Sequence, residues 1–422
     1  MTEHTIHADP SCMDDFDPHA LSAEEALSRI IAGVSPVQGM EKLELRAAVG
    51  RVLANDIQSN INVPTHDNSA MDGYAIKGSD IPGSGTREFK LIGTIFAGNP
   101  LNRTVVSGTC ARIMTGGVIP AGADTVVIQE NTDKDGEIIR IGADTKPGDN
   151  VRHAGEDIKK GDTILNKGVR LTPADIGLIA SLGIGEVMVS RKPRIAFFST
   201  GDELQSIGEK LEPGNVFDSN RYTLHGMLNR MGVEIIDMGV IRDVKEDIEK
   251  AFNQAASYAD VIITSGGVSV GEADYIKEIL GMLGKVDFWK VAIKPGRPLA
   301  FGKLHNAYFF GLPGNPVSVM VTFYQFVQPA IYKLMGSNLT ETLTTKAICR
   351  SKLKKRAGRV EYQRGVLRKN ENGELEVDKT GAQGSGILSS MSQANCFIIL
   401  PMESEGVHPG MEVDVQPFFG LV

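Results

Sequence analysis

Residues 259–275 read ADVIITSGGVSVGEADY, an apolar run that ends in a glycine-rich turn followed by two acids. Val261, Ile262 and Ile263 have the continuous apolar character of a buried parallel strand; Ser265, Gly266 and Gly267 mark a turn with free backbone N–H groups, and Ala273 to Leu283 reads as a helix. The amides of such a turn and the positive end of the helix dipole favour phosphate or another oxyanion. Glu272 and Asp274 oppose it unless a hard cation sits between. The stretch therefore fits a metal-assisted phosphate site. It also fits an ordinary strand-to-helix turn whose acids start the helix.

Outward from this unit, strand and helix patterns alternate between Arg194 and Gly336: RIAFFST, SNRYTLHGMLNRM, VEIIDMGV, VKEDIEKAFNQAASYA, then ADYIKEILGML, VDFWKVAI, AYFFGL and a long helix from Pro316. That spacing predicts right-handed crossovers and a mostly parallel sheet covered on both faces, a three-layer α/β domain. Ligands of open α/β sheets collect beyond the carboxyl ends of the strands. The loops TGDEL, IRD, SGGVSVGEAD and GLPGNP would all emerge there.

The flanks have a different texture. Residues 1–20 read as a disordered polar tail. Leu21 to Ile31 has helical spacing, with Ser22 and Glu25 placed for a capping box, and Thr172-Pro173 opens a second helix. The two helical segments, 21–60 and 162–193, are expected to pack together as a small discontinuous helical linker domain. Residues 61–161, with short β-branched runs cut by glycine and proline, form an inserted β domain between them; 194–345 is the α/β domain, and 346–422 a C-terminal β-barrel-like or sandwich domain. The turn at 370–373 belongs to that last domain.

Length and composition agree with a multidomain globular chain: 422 residues and a formal net charge of −8 with both signs mixed. That balance argues against nucleic-acid or membrane-surface binding. Four scattered cysteines disfavour a zinc site or a disulfide framework and fit reduced thiols in the cytoplasm. No apolar run approaches the roughly 20 residues of a membrane span, and the first residues lack the pattern of a signal peptide.

Three carboxylates, Glu203, Asp243 and Asp274, each follow an apolar strand, so a parallel sheet would bring them to one rim. Magnesium suits such a place, because it takes few carboxylates, several waters and phosphate oxygens. Each acid alone also fits a helix cap or a surface position. Asn315-Pro316 resembles an N-cap followed by proline at the first helical position, and with Gly314 it offers amides to a second oxyanion or simply caps its helix. Lys290 and Lys294 add cations at another strand end. In VPTHDNSAMDGYAI, Asp72 fits a functional loop or a turn carboxylate, and His66 has no identified partner.

Taken together and in order, DNSAMDGYA, RIMTGG, TGDEL, SGGVSVGEADY, KPGRPLAFG and GLPGNP closely resemble the MoeA family of molybdopterin molybdenumtransferases, related to the C-terminal domain of gephyrin. The resemblance runs from about Leu21 to the C-terminus. It implies a molybdopterin-binding α/β domain and transfer of molybdenum from molybdate to the dithiolene sulfurs of adenylylated molybdopterin, with Mg²⁺-dependent cleavage of the adenylate and release of AMP. By motif correspondence Glu203, Asp243 and Asp274 would handle the metal or the phosphate chemistry. Ser265, Gly266 and Gly267 would cradle the phosphate, and Pro313, Gly314, Asn315 and Pro316 would shape that pocket. Lys290, Lys294, Arg364 and Ser385 would hold the anionic pterin or molybdate, with Asp72 and Thr115 reaching in from the β domain.

The family also implies a homodimer whose cleft is shared between subunits, and the molybdopterin adenylyltransferase as a pathway partner. Arg297 stands where the family more often has lysine, which keeps the charge and changes the hydrogen-bond geometry. The rivals are an adenylyltransferase or nucleotide pyrophosphatase of the same fold, and a non-catalytic binding scaffold.

Overall fold

The computed structural model describes residues 19–266, 274–338 and 342–418, with backbone only at positions 274 and 275. It divides into two compact units, one made of Lys42–Val49 and Leu53–Met188 and the other of the remaining chain. Among the described residues no helix is long and apolar enough to cross a membrane.

The first helix, α1 (Ala23–Gly33), starts where expected: the Ser22 hydroxyl accepts the Glu25 backbone N–H at 3.0 Å. The capping box is not completed. Glu25 instead turns its carboxylate one helical turn forward to Arg29, at 2.7 Å, an i,i+4 pair that competes for the same oxygens. Ala26, Ile30 and Val34 belong to the core of the larger unit, with Ile195, Phe197 and Phe310, whereas the second helix lies in the smaller unit. The apolar face of α1 is therefore used on the α/β sheet.

The smaller unit is built on a six-stranded sheet: β1 (Gly73–Ile76), β2 (Thr86–Ile95), β3 (Thr109–Ile113), β4 (Thr125–Ile128), β5 (Thr132–Asp135) and β6 (Ile138–Gly142), in the order β4-β1-β3-β2-β6-β5. Its strands alternate between two cores: Tyr74 and Ile76 pack with Phe89 and Val127, while Ala75 packs with Ile95 and Val126 on the other face. Gly73 is required by close approach, because a Cβ there would lie 2.0 Å from the Val127 carbonyl oxygen. Helix α2 (Pro173–Ser181) carries the full capping box, Thr172 with Asp175, behind proline.

In the larger unit the α/β sheet consists of β7 (Arg194–Thr200), β8 (Glu234–Ile241), β9 (Val261–Ser265), β10 (Gly284–Lys290), β11 (Pro298–Leu304) and β12 (Ala307–Leu312). The order is β8-β7-β9-β12-β11-β10, parallel through β12 and antiparallel over the last two strands. Its central strands β7, β9 and β12 are apolar on both faces. Ile195, Phe197 and Ile263 face a layer holding α1, α3 (Ser219–Met231), α6 (Pro316–Thr322) and α7 (Gln328–Leu334), the last two joined by a π-helical turn over Phe323–Val327. Ala196, Phe198 and Ile262 face α4 (Lys245–Tyr258) and α5 (Asp274–Leu283). This is the expected three-layer arrangement.

The C-terminal region closes as a barrel. Strands β13 (Thr345–Cys349), β14 (Val360–Lys369), β15 (Leu375–Lys379), β16 (Cys396–Leu400) and β17 (Glu412–Pro417) run β14-β15-β13-β17-β16, and β16 pairs back onto β14. Of the two expected forms, barrel and sandwich, the barrel is the one present. Its core holds Cys349, Cys396, Ile398 and Val415, and the turn at Asn370–Gly373 joins β14 to β15. Cys110, Cys349 and Cys396 are free, buried thiols; burial pushes Cys110 and Cys396 up to about 12, which leaves them unreactive.

Candidate active site

Register fixes which loops share an edge. Ser199 stands beside Ser265, Ser265 beside Leu312, and Thr200 beside Ile241 in parallel strands. The loops that follow, with Asp202 and Glu203, with Asp243, with Gly266, and with Pro313 to Pro316, therefore all leave the carboxyl ends of β7, β8, β9 and β12. Gly267 lies outside the described residues. Asp274 is described by its backbone alone, at the start of α5.

The turn after β9 is tight. Gly266 has φ +96°, and a Cβ there would come within 2.8 Å of the Thr200 carbonyl oxygen, so this approach of β9 to β7 requires glycine. Ser265 is buried, 2 % exposed. Its hydroxyl accepts a hydrogen bond from Asn220 Nδ2 at 2.8 Å, and the same nitrogen donates to the Gly314 carbonyl at 2.6 Å. One side chain of α3 thus ties the SGG turn to the GLPGNP loop. Sequence reasoning missed Asn220, because it sits inside a helical pattern with nothing to mark its contacts.

Asn315 occupies the N-cap position of α6, yet its side chain makes no capping hydrogen bond. The Val317 N–H at the start of that helix instead donates to the carbonyl of Ser385 at 3.0 Å. The AQGSG loop of the barrel therefore meets the GLPGNP loop directly. Arg364, expected to face an anion, is 1 % exposed and donates from Nε to Ser390 Oγ and from Nη2 to the Gly384 carbonyl, both at 2.9 Å. Burial pulls it down to about 10, still well above neutrality. Its contacts hold the loop that carries Ser385.

The acids at the rim are linked through a residue that the sequence reading also passed over. Asp202 Oδ1 accepts the backbone N–H of Asp243 at 3.1 Å and so couples the TGDEL and IRD loops. Glu203 is exposed. Among the described residues no three His, Cys, Asp or Glu side chains gather as a metal cluster. Glu203 and Asp243 are nevertheless oxygen donors of the kind a hard cation takes, and Mg²⁺ needs only one or two carboxylates beside phosphate oxygens and water. The donor set fits that ion.

The cations are less alike than they look in sequence. Lys294 Nζ lies 2.8 Å from Glu361 Oε1, and the buried Glu361 also accepts from Gln363 Nε2 at 2.8 Å. Lys290 is exposed at the end of β10 and contributes its carbonyl to Leu21 N–H.

In the smaller unit, Asp72 and Thr115 come together. Asp72 Oδ1 accepts the Thr115 backbone N–H at 2.7 Å and its hydroxyl at 2.8 Å. The amide bond, then the hydroxyl bond, holds this exposed carboxyl below its ordinary range, with Arg112 adding to the effect. His66, read as lacking a partner, has its Nδ1 2.9 Å from Thr65 Oγ1.

With this geometry in place, comparison with known proteins is specific. Residues 21–183 match the MoeA N-terminal region (domain I and II), 196–333 a probable molybdopterin binding domain, and 346–418 the MoeA C-terminal region (domain IV). The molybdopterin molybdenumtransferase of Haemophilus influenzae is 47% identical over 95% of this chain and 100% of its own. The chain belongs to the MoeA family. This MoeA-family chain is accordingly an enzyme of molybdenum cofactor biosynthesis. Gephyrin of Dictyostelium discoideum is 34% identical over 92% of this chain and 61% of its own. A crystal structure of the molybdopterin biosynthesis moeA protein of Pyrococcus horikoshii superposes with a TM-score of 0.82 at 32% identity, covering 94% of this chain and all of that one.

Proposed function

We propose that this enzyme inserts molybdenum from molybdate into adenylylated molybdopterin, with Mg²⁺-dependent cleavage of the adenylate and release of AMP. The observation that carries the reading is the shared strand-end edge. There the turn at Ser265-Gly266, the loop Pro313 to Pro316 and the acids Asp202, Glu203 and Asp243 leave adjacent parallel strands. Oxyanion donors and carboxylates on one rim suit a phosphoanhydride better than a neutral substrate.

In this account Ser265, Gly266, Gly267 and the loop to Pro316 bind and orient the substrate's phosphate. Lys290 and Lys294 face the anionic pterin or molybdate, Lys294 with its charge moderated by Glu361. Arg364 and Ser385 complete that surface, Arg364 by holding the AQGSG loop. Glu203 and Asp243, with Asp274, would hold Mg²⁺, which supplies charge neutralisation at the phosphoryl oxygens. Water cleaves the anhydride bond, leaving AMP and a terminal phosphate. The two dithiolene thiols replace two oxygens of molybdate, which leave as two waters with the two thiol protons and two protons from solvent, molybdenum keeping its oxidation state.

The proposed assembly is a homodimer in which Asp72 and Thr115 are contributed to the cleft across the subunit boundary. The proposed setting is cytoplasmic, downstream of the molybdopterin adenylyltransferase. The reading is tested by incubating enzyme with adenylylated molybdopterin, Mg²⁺ and molybdate and measuring molybdenum bound in the product. Consumption of ATP or a dinucleotide without any need for molybdate points to the adenylyltransferase or pyrophosphatase instead.

A further inference from the structure

We infer that Asn220 is a positioning residue of this site, setting the hydrogen-bond polarity of the two loops that receive the substrate's phosphate. The inference rests on the proposed assignment of Ser265 and the Gly314 loop to substrate binding. Asn220 lies in the first turn of α3, one residue beyond Ser219. Its Nδ2 spans Ser265 Oγ at 2.8 Å and the Gly314 carbonyl at 2.6 Å. A carbonyl oxygen only accepts, so the nitrogen end of the amide is fixed toward Gly314 and cannot be exchanged with the oxygen end.

Two consequences follow for an anion. The Ser265 hydroxyl receives the Asn220 hydrogen bond on its oxygen, so its own proton is left to donate. The Gly314 carbonyl, whose negative end would repel an oxyanion, is already engaged. Asn220 thereby converts a hydroxyl of either polarity and an opposing carbonyl into a surface that favours phosphate.

The third atom of the amide argues against a merely structural staple. Asn220 Oδ1 is buried and has no hydrogen-bond partner. Buried polar atoms are nearly always paired, and an exception carries a standing cost that fold stability alone does not select. The same first turn begins at Asp218, 2 % exposed, whose Oδ1 accepts Arg221 N–H at 3.2 Å and whose Oδ2 lies 3.7 Å from Arg221 Nε in an ion pair. The start of α3 is thus built around a fixed polar geometry.

The test compares binding of molybdopterin with that of its dephosphorylated form, followed by pterin fluorescence, in the full chain carrying Asn220→Asp, Asn220→Ala or Ser265→Ala. Asn220→Asp keeps the shape and replaces the donor with an acceptor, so Ser265 turns its proton inward and Gly314 meets a negative charge. The expected result is a loss of at least about tenfold in preference for the phosphorylated form, in both Asn220 variants, with that of Ser265→Ala reduced in parallel. A structural role would lower the unfolding midpoint and leave that preference in place. If Ser265→Ala lowers the preference and both Asn220 variants retain it, the inference is overturned while the phosphate-cradle reading stands. If Ser265→Ala also retains it, the cradle reading fails and the inference fails with it. Should Asn220→Asp not fold, Asn220→Ala decides alone.

Discussion

Asp72 takes two hydrogen bonds from one residue, the backbone N–H and the hydroxyl of Thr115, at 2.7 and 2.8 Å on the same oxygen. The aspartate comes from the DNSAMDGYA loop and the threonine from the RIMTGG loop, so the pair locks two motifs together within the smaller unit.

Thr115→Val removes the hydroxyl bond and keeps the amide. Because both bonds favour the charged carboxylate, the Asp72 titration should move up toward the ordinary aspartate range, followed by carboxyl NMR. An unchanged or lower value would mean that the hydroxyl contributes nothing to the ionised state.

Asp202 positions Asp243 through the backbone, and the bond at 3.1 Å needs only an acceptor oxygen. Asp202→Ala should raise the Mg²⁺ concentration for half-maximal activity by about tenfold, while Asp202→Asn, which still offers an oxygen, should lie near wild type. Equal effects of the two substitutions would show that charge, not the tie, is what matters.

Asp260 anchors the opposite end of β9. Burial works against its charge, but Arg191 donates to both carboxylate oxygens at 2.7 and 2.8 Å, Arg194 N–H adds a third bond at 2.8 Å, and the balance lowers its pKa. A lowered folded-state pKa means the stabilisation is fully present above the unfolded value and is lost as pH falls through the folded one. Asp260→Asn should cost about 2 to 3 kcal/mol near neutral pH, measured by urea unfolding, and the gap to wild type should shrink on acidification below the ordinary carboxylate range. A gap that widens in acid would have the sign wrong.

Gly73→Ala places a methyl on the Val127 carbonyl oxygen, between β1 and the edge strand β4 of the smaller unit's sheet. The strands must separate to admit it, so the substitution should destabilise that unit by roughly 3 kcal/mol or more, read from its denaturation midpoint. A midpoint equal to wild type would mean β1 and β4 are not held at this spacing.

What could be read from sequence followed from periodicity and from motifs that carry their own geometry. The runs RIAFFST and VIITS are apolar on both faces, which only a covered parallel sheet satisfies, and the sheet then dictates that TGDEL, IRD, SGG and GLPGNP share an edge. Contacts made by single polar side chains across long separations were not legible. Asn220 reaches Gly314 at a separation of 94 residues. Glu361 moderates Lys294 from a separate strand, and no local pattern encodes either choice. Glu25 failed as a capping-box residue for a related reason: Arg29 one turn away offered a charged partner. The face of α1 was visible as apolar, but sequence spacing could not say which surface it would cover.

The most direct test of the account is AMP release from adenylylated molybdopterin in the presence of Mg²⁺, with and without molybdate. The account predicts AMP formation that depends on molybdate and matches the molybdenum retained in the product. AMP release that is indifferent to molybdate, or binding of the substrate with neither AMP nor molybdenum-bearing product, would contradict it.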